Sequence, residues 1–532
     1  MPRFGCARSS GTRTYPQSQA ESNEHGTSLA RDEAEPAPTA ESRAIAAATE
    51  ARHARASLDD IQTGMIRAAS RLISVDGRGL LEEAAALGIR YVESVPERAV
   101  APSATIEELR ATLDVPLTDG PVDAAQVIAE LARDAEPGLA QMGSGRYFGF
   151  VIGGSLPVAL AADWLTSAWD QNAGLALPTP AATVIEEVAG RWLKELLGIP
   201  AGASFALVTG CQVAHSTALA AARNHVLAKV GYDVERDGLV GAPPIRVLAG
   251  AKRHGTLDRA LRFLGLGTGC VRVVPADGQG RMQVEALREE LAREQGPTIV
   301  SAQLGEVNTG ACDDLNAIAD ATSEAGAWLH VDGAFGLWAG ASPSYRHLAA
   351  GVERADSWAT DAHKWLNVPY DNGIAFCAHP SAHREALGIR SAYLIHADPD
   401  AARDPVDWNP EHSRRARGIT VYAALRALGR SGVADLVDRC CQNAQALAAG
   451  LAELPGCDVL NEVVLNQVLL RFENDDETDR VVAAVQASGE AWMGGTVWED
   501  RRAIRISVSN WQTNETDVER TIAAFSAART DR

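Results

Sequence analysis

A lysine and an aspartate, Lys364 and Asp332, have the types and settings that carbonyl chemistry on a heteroaromatic ring requires. Lys364 stands in the string TDAHKWLNVPYDNG, and Asp332 ends the apolar run WLHVD. A lysine amine can form a Schiff base with an aldehyde, and a carboxylate can keep a pyridine nitrogen protonated so that the ring accepts electrons. This pair is typical of pyridoxal 5'-phosphate (PLP) chemistry, and we predict PLP as the cofactor.

The two residues need opposite electrostatic settings. A carboxylate about 4 Å from a pyridinium gains roughly 4 kcal/mol at an effective dielectric of about 20, before desolvation is subtracted. Lys364 must be neutral to attack an aldehyde. We therefore expect burial and nearby cationic groups to lower its pKa from the ordinary value of about 10.4.

The string VTGCQVAH lies where a predicted strand passes into a predicted helix. Gly210 permits a tight turn there, and the backbone amides of Cys211 and Gln212 can face a phosphate at the positive end of the helix. A glycine at such a junction is more often purely structural, but a PLP site needs an anion-binding turn. His363 is a plausible second phosphate donor, with Asp361 orienting nearby groups.

Two further residues follow apolar runs. His254 comes after VLAG, where an imidazole can stack on the cofactor ring and contact a substrate carboxylate. Its alternative is an ordinary surface or core histidine. Thr309, in GEVNTGA, could place its hydroxyl on the phenolic oxygen of the cofactor, or it could be a turn residue.

Composition limits the function classes. A chain of 532 residues exceeds one ordinary core, so we expect two or more domains. The net charge of −20 disfavours nucleic acid or an anionic membrane as a partner. The eight cysteines form no CxxC pair, and the first residues lack the apolar core of a secretory signal. We predict free thiols, no metal site, no membrane span and a cytoplasmic protein.

Strand-like runs alternate with helical patterns through the middle of the chain. This alternation predicts an α/β fold, a doubly wound and mostly parallel sheet, whose ligands bind at the carboxyl ends of strands. The predicted organisation is a disordered tail (1–58), a helical N-terminal arm (59–137), a large PLP-binding domain (138–385), a mobile active-site loop (386–412) and a small C-terminal α+β domain (413–532).

Residues from about 138 to 510 resemble the group II PLP-dependent amino-acid decarboxylases, which have fold type I. The strings that carry the resemblance keep the order of the family: RYFGFVIGGSLP, WDQNAG, the P-x5-E of Pro180 to Glu186, TGCQVAH, HGTLDRALRFLGLG, NTGACDDL, HVDGAFG and DAHKWLNVPYDNG. The resemblance implies decarboxylation of an L-amino acid to an amine and carbon dioxide. It also implies a homodimer with each active site at the subunit interface.

The resemblance assigns roles by position. Lys364 would be the Schiff-base lysine, Asp332 the partner of the ring nitrogen and His254 the stacking imidazole. Ala334 would pack its methyl group against the opposite face of the ring. Four residues would surround the phosphate: Cys211, Gln212, Asp361 and His363.

The reaction type depends on less specific residues. Tyr393, in SAYLIH, resembles the loop tyrosine that protonates Cα in these decarboxylases, and Arg414 resembles a position that contacts carboxylates of the substrate or loop. Transamination, oxidative deamination and a catalytically idle PLP-binding protein remain alternatives. Three aromatic residues are candidates for the substrate pocket or the core: Trp169, Phe148 and Tyr370.

The chain departs from the family pattern at three places. The phosphate turn reads Gly-Cys-Gln instead of small hydroxyl residues, His215 stands where asparagine is common, and Gly333 replaces the usual alanine. None of these changes removes a reacting group. They bear on the phosphate and substrate geometry.

Overall fold

The computed structural model describes residues 77–389 and 402–530, with a few isolated positions between 39 and 52. The predicted tail and the start of the predicted arm otherwise lie outside the described residues. So does the middle of the predicted active-site loop, including Tyr393.

Between Gly77 and Thr530 the described residues form fourteen α-helices. In chain order they are α1 (Gly77–Ser94), α2 (Ile106–Leu113), α3 (Ala124–Ala135), α4 (Pro157–Trp169), α5 (Pro180–Leu197), α6 (Cys211–Ala228), α7 (Val234–Asp237), α8 (Gly255–Phe263), α9 (Val284–Arg293), α10 (Leu315–Ala325), α11 (Pro380–Leu387), α12 (Gly418–Ala452), α13 (Asp475–Ser488) and α14 (Glu515–Thr530). None of these described helices has the length and apolarity needed to cross a bilayer.

The larger sheet has seven strands. They are β1 (Ser204–Val208), β2 (Arg246–Gly250), β3 (Val271–Val274), β4 (Thr298–Gln303), β5 (Trp328–Asp332), β6 (Ser357–Asp361) and β7 (Gly373–Cys377), in the spatial order β1-β7-β6-β5-β4-β2-β3. Only β7 runs antiparallel to its neighbours. The predicted α/β fold with a large, mostly parallel sheet is confirmed.

A smaller antiparallel sheet follows in the C-terminal part. It contains β8 (Asp458–Val459), β9 (Gln467–Arg471), β10 (Gly494–Trp498) and β11 (Arg501–Ser507), in the order β10-β11-β9-β8. The sequence patterns around VLLRF and AIRIS thus form strands of this second sheet. The domain boundaries stay predictions.

Apolar side chains of β2 show how the larger sheet is covered on both faces. Val247 and Ala249 pack in a cluster with buried residues of α6 and α8. Leu248, between them, points to the opposite face and packs in the main core with residues of α5, α9 and α10. Because alternate side chains of a strand face opposite sides, helices on both faces require an almost uniformly apolar strand.

A close backbone approach fixes the start of α6. A β-carbon on Gly373, the first residue of β7, would collide with the backbone of Gly210, which precedes α6. The antiparallel strand can lie against this turn only because residue 373 has no side chain.

We therefore predict that Gly373→Ala lowers the free energy of unfolding by about 1–3 kcal/mol, the usual effect of overpacking. Chemical denaturation monitored by circular dichroism measures this. Gly250→Ala, at the end of β2, is the matched control because its β-carbon would meet no atom within 4 Å. Equal stability of the two variants would contradict the prediction.

Candidate active site

Residues at or just beyond the carboxyl ends of β1, β4, β5 and β6 line one cavity of about 400 Å³. The cavity brings together eight residues that the sequence predicts for the site: Cys211, Gln212, His254, Asp332, Ala334, Asp361, His363 and Lys364. Its remaining wall includes Phe150, Val151, Thr256, Gln303, Val307, Phe335 and Arg505. The fold thus assembles residues that are separated by more than a hundred positions in sequence.

Lys364 follows β6 and extends into the cavity. Its Nζ lies 3.3 Å from Oδ2 of Asp361, three residues earlier on the same turn. Burial by itself would lower the pKa of Lys364, but the nearby negative groups, Asp361 first among them, hold it above its ordinary value. The sequence-based expectation of a lowered pKa is therefore not met, because the neighbours supplied by the fold are anionic.

Asp332, the last residue of β5, is the second buried anion of the cavity. One carboxylate oxygen, Oδ2, lies 3.5 Å from Nε2 of His215, and the other accepts a hydrogen bond from the backbone N–H of Ala334 at 3.2 Å. Burial would raise the pKa of Asp332. Its interaction with His215, helped by His254 and Lys364, instead holds that pKa well below its usual range.

The first turn of α6 differs from the expected phosphate turn. The backbone N–H of Cys211 donates a 2.6 Å hydrogen bond to Oδ1 of Asp361, so this amide already has an anionic partner. Gly210 has an extended backbone, and a β-carbon there would lie 3.2 Å from the ring of His363. As a carboxylate, Asp361 can only accept hydrogen bonds, so it cannot donate one to a phosphate. Its contacts instead hold the turn and Lys364.

The two cavity histidines are in settings that favour the neutral imidazole. Nδ1 of His363 accepts a hydrogen bond from the backbone N–H of Asn372 at 3.0 Å, which leaves Nε2–H as the donor. Nδ1 of His254 lies 2.8 Å from the hydroxyl of Thr256. Partial removal from water in the cavity lowers the pKa of both histidines, although the side chain of His254 also reaches the surface.

The structure does not bring Thr309 to the cavity. Its hydroxyl donates to the backbone oxygen of Gln279 at 2.7 Å and lies 3.2 Å from the carboxylate of Glu306. The threonine is almost fully buried within this turn. The contact with a cofactor oxygen that we expected from sequence is corrected to a role in the turn.

Arg414 is also placed elsewhere. Its guanidinium is buried and binds Oε2 of Glu186 at 2.8 Å and the backbone oxygens of Ala173 and Leu207. Arg403 reaches the other oxygen of Glu186 at 3.1 Å. Because Nη1 and Nη2 of Arg414 are both used in this buried cluster, the arginine holds the chain around the end of the predicted loop, and the predicted substrate contact is not supported.

The three candidate aromatic residues fall in different places. Phe148 is buried in the main core, and Trp169 is half exposed at the end of α4. Tyr370 is more than half exposed, and its ring lies 4.3 Å from that of His363. None of them lines the cavity itself.

Arg505 is a cavity residue that the sequence analysis missed. It lies on β11, between the buried Ile504 and Ile506, and faces the opposite side of the strand. Its Nη1 donates to the backbone oxygen of Val307 at 3.4 Å, and no carboxylate in the described part of the chain forms an ion pair with it. An arginine inside an apolar strand pattern was the signal that could have found it.

One group in the described residues has a geometry compatible with a metal ion. Sγ of Cys211, Nε2 of His215 and a carboxylate oxygen of Asp332 lie within 4.8 Å of one another. Burial, followed by the charges of Asp361 and Asp332, raises the pKa of the Cys211 thiol well above its ordinary value. A metal ligand needs a thiolate, so this set fits a hydrogen-bonded cluster better than a metal centre.

The cavity fits a pyridine ring with an aldehyde. Asp332 supplies an anion for the ring nitrogen, Lys364 an amine for the aldehyde, and Ala334 a small side chain in the wall. Oε1 of Gln212 is buried without a hydrogen-bond partner while its residue lines the cavity, which is typical of a wall built to face a polar ligand.

Comparison with known proteins agrees with this chemistry. The profile of the pyridoxal-dependent decarboxylase conserved domain matches residues 107–473. An aromatic-L-amino-acid decarboxylase of Bacillus atrophaeus is 25% identical over 459 residues, which cover 83% of this chain and 93% of that protein. An L-2,4-diaminobutyrate decarboxylase of Rhizobium meliloti (strain 1021) is 30% identical over 382 residues, 69% of this chain and 74% of that protein.

A solved structure shares the fold. The crystal structure of Oryza sativa TDC with PLP and tryptamine superposes with a TM-score of 0.79 at 23% sequence identity, and covers 86% of this chain and 97% of its own. The family profile matches most of the chain, within which Asp332 and Lys364 meet at one cavity. The chain belongs to the pyridoxal-dependent decarboxylase family and is a PLP-dependent carboxy-lyase that acts on an amino acid.

Proposed function

We propose that the enzyme decarboxylates an L-amino acid to the corresponding amine. The observation that carries the proposal is the convergence of Lys364 and Asp332 on one cavity in a chain of this family. PLP, when bound, supplies a ring that accepts the electron pair of the bond to the departing carbon dioxide. The protein must hold that ring, orient the substrate and exclude water.

Four residues would hold the cofactor ring. Lys364 would bind its aldehyde carbon, and Asp332 would keep the ring nitrogen protonated. His254 and Ala334 would lie against its two faces, because a flat imidazole and a small methyl group leave room for a planar ring. The roles of all four follow the family resemblance and agree with their places in the cavity wall.

The phosphate would contact His363 and the start of α6. His363 has an Nε2–H donor, since its Nδ1 accepts from Asn372. Cys211 and Gln212 lie in the first turn of α6, at the positive end of the helix. Asp361 would contribute indirectly, by holding Lys364 and the first amide of this turn.

Arg505 would bind a carboxylate of the substrate. It is a cation in the cavity wall that forms no ion pair with a carboxylate of the described residues, and burial strengthens its interaction with an incoming anion. The names of the relatives do not agree on one substrate side chain, since one is named for aromatic amino acids and another for diaminobutyrate. Tyr393 stays our candidate for protonating Cα, and it lies outside the described residues.

We also propose a homodimer. Two half-exposed apolar side chains, Val92 of α1 and Trp164 of α4, border a groove of about 360 Å³. Tyr370 lines the same groove, and its ring lies 4.3 Å from that of His363 in the catalytic cavity. A second copy on this surface would cover the apolar groove and close the open side of the active site.

The function is tested by measuring products with the PLP-loaded enzyme and a panel of L-amino acids. We expect at least one amino acid to yield amine and carbon dioxide in equal amounts. Lys364→Ala should lose covalent attachment of PLP, seen in its visible absorption, and lose all amine formation. Lys229→Ala, an exposed lysine on the far end of α6, should behave like the parent. Consumption of a keto acid without carbon dioxide would point to transamination and contradict the proposal.

The Arg505 assignment is tested by kinetics of Arg505→Met. Loss of a charge-assisted hydrogen bond should raise KM about tenfold or more. Arg501→Met, four residues earlier on β11 and paired with Asp475 at the surface, is the matched control. A rise for every substrate indicates binding of the α-carboxylate, and a rise for acidic substrates alone indicates a side-chain carboxylate. Unchanged KM throughout would refute the assignment.

The dimer is tested by analytical ultracentrifugation. Trp164→Asp should shift the protein to the monomer and lower activity, because it places a charge in the apolar groove. Val240→Asp changes a fully exposed apolar residue of the loop before β2 and should remain dimeric. A dimeric Trp164→Asp variant with full activity would exclude this surface as the interface.

A further inference from the structure

A line of buried polar side chains runs from Asp332 back into the protein. His215 Nε2 lies 3.5 Å from Asp332 Oδ2, and His215 Nδ1 lies 2.9 Å from His330 Nε2. His330 Nδ1 in turn lies 2.9 Å from Ser357 Oγ, which accepts the indole N–H of Trp328 at 2.9 Å. Both histidines and Ser357 are fully buried.

The fold explains why these residues meet. Trp328, His330 and Asp332 alternate along β5, so they project from the same face of the strand. Ser357 is the residue of β6 paired with His330 in the sheet register. His215 comes from the helix α6, which packs on that face.

The end of the line fixes the direction of its hydrogen bonds. An indole nitrogen can only donate, so Ser357 accepts from Trp328, and its own hydroxyl proton is free to point at Nδ1 of His330. A neutral His330 then carries its proton on Nε2 and donates it to Nδ1 of His215. That leaves the proton of a neutral His215 on Nε2, directed at the carboxylate of Asp332.

The reverse direction is unfavourable. If Ser357 accepted from both neighbours, a neutral His215 would turn an unprotonated Nε2 toward an anionic oxygen. A doubly protonated pair would bury positive charge, and burial already lowers the pKa of His330 to about 3. The arrangement with a proton on Nε2 of His215, directed at Asp332, therefore satisfies every atom of the line.

We infer that His215 is a positioning residue, held in its Nε2–H tautomer by His330 and Ser357, whose donated hydrogen bond keeps Asp332 ionised for the cofactor ring. The inference rests on the proposed role of Asp332. It gives a role to His215, His330 and Ser357, which do not line the cavity. It also gives a physical reason for the unusual histidine at position 215.

Other charged and titratable groups also face this carboxylate. They are His254 and Lys364, whose positive charges favour the ionised form, and Cys211, whose Sγ lies 3.4 Å from Nε2 of His215. Since the Cys211 thiol is neutral, it competes weakly for the His215 proton. The carboxylate is the stronger acceptor, so the hydrogen bond goes to Asp332.

Two amide substitutions at position 215 distinguish the effect of the Nε2–H donor from the effect of side-chain size. The amide nitrogen of glutamine in His215→Gln reaches about as far as Nε2 and can donate to Asp332, whereas that of asparagine in His215→Asn corresponds to Nδ1 and falls short. Asparagine is common at this position in the family that the chain resembles, so the shorter variant is compatible with the fold.

The measurements are PLP affinity by equilibrium dialysis and the pH titration of the visible absorption of bound PLP. We expect His215→Asn to weaken PLP binding about tenfold. Without the donor, the pKa of Asp332 rises and the carboxylate and the ring nitrogen share their proton differently, so the titration midpoint should move by about one unit from that of the parent. His215→Gln should stay near the parent in both.

Ser357→Ala removes the residue that orients His330, and we expect a smaller shift in the same direction. Ser204→Ala is its matched control, since Ser204 makes a 2.9 Å hydrogen bond with the buried His383 on the same sheet but has no connection to Asp332. Thermal unfolding of each apoprotein shows whether a variant is folded. Equal shifts for both serine variants would mean general core damage and would overturn the inference.

Further outcomes separate this inference from the function on which it rests. If Asp332→Asn changes the PLP affinity and the visible spectrum but His215→Asn does not, the role of His215 is wrong and the role of Asp332 stands. If Asp332→Asn changes neither, the cofactor assignment itself fails. Stoichiometric metal in the purified enzyme would also overturn the inference, because a metal would need the unprotonated Nε2 of His215.

Discussion

The Asp332 carboxylate has to remain charged in a place from which most water is excluded. Burial of a lone carboxylate is costly, and such a group normally takes up a proton. Here the backbone N–H of Ala334, the imidazole of His215 and the positive field of Lys364 offset that cost. The arrangement of β5, β6 and α6 follows from this requirement, since each element supplies one part of the environment of that anion.

A second carboxylate, Asp361, lies at the end of the cavity where a phosphate would bind. It binds Lys364 on one side and the first amide of α6 on the other. The lysine is therefore held as an ammonium near the turn where a phosphate would lie, and its pKa stays high. An anionic phosphate at that turn would compete with Asp361 for the same amide, which makes the phosphate end the part of the site that departs furthest from the family pattern.

Positive charge in the cavity wall is divided between two regions of the chain. Lys364 follows the large sheet, whereas Arg505 belongs to the small one. A substrate between them would contact residues from both sheets, so its affinity depends on how the two are held together. The buried cluster of Glu186 with Arg403 and Arg414 strengthens the same region, where the chain returns from the predicted loop to α12.

The amino-acid sequence by itself determined the fold class and the two residues of central chemistry. Alternating strand and helix patterns predict a mostly parallel sheet, and the period of two in WLHVD places Trp328, His330 and Asp332 on one face. These are local properties, and each can be read from a few neighbouring residues. The motif around Lys364 was specific enough to predict PLP for the same reason.

Only the tertiary structure decided which polar groups become partners. Thr309 meets the backbone of Gln279, Arg414 meets Glu186, and Arg505 enters the cavity from a strand of the second sheet. The pKa of Lys364 likewise depends on which charge stands beside it after folding. A hydrogen bond or ion pair forms with whatever group the packing brings within about 3 Å, and that distance is set by contacts between segments far apart in the chain.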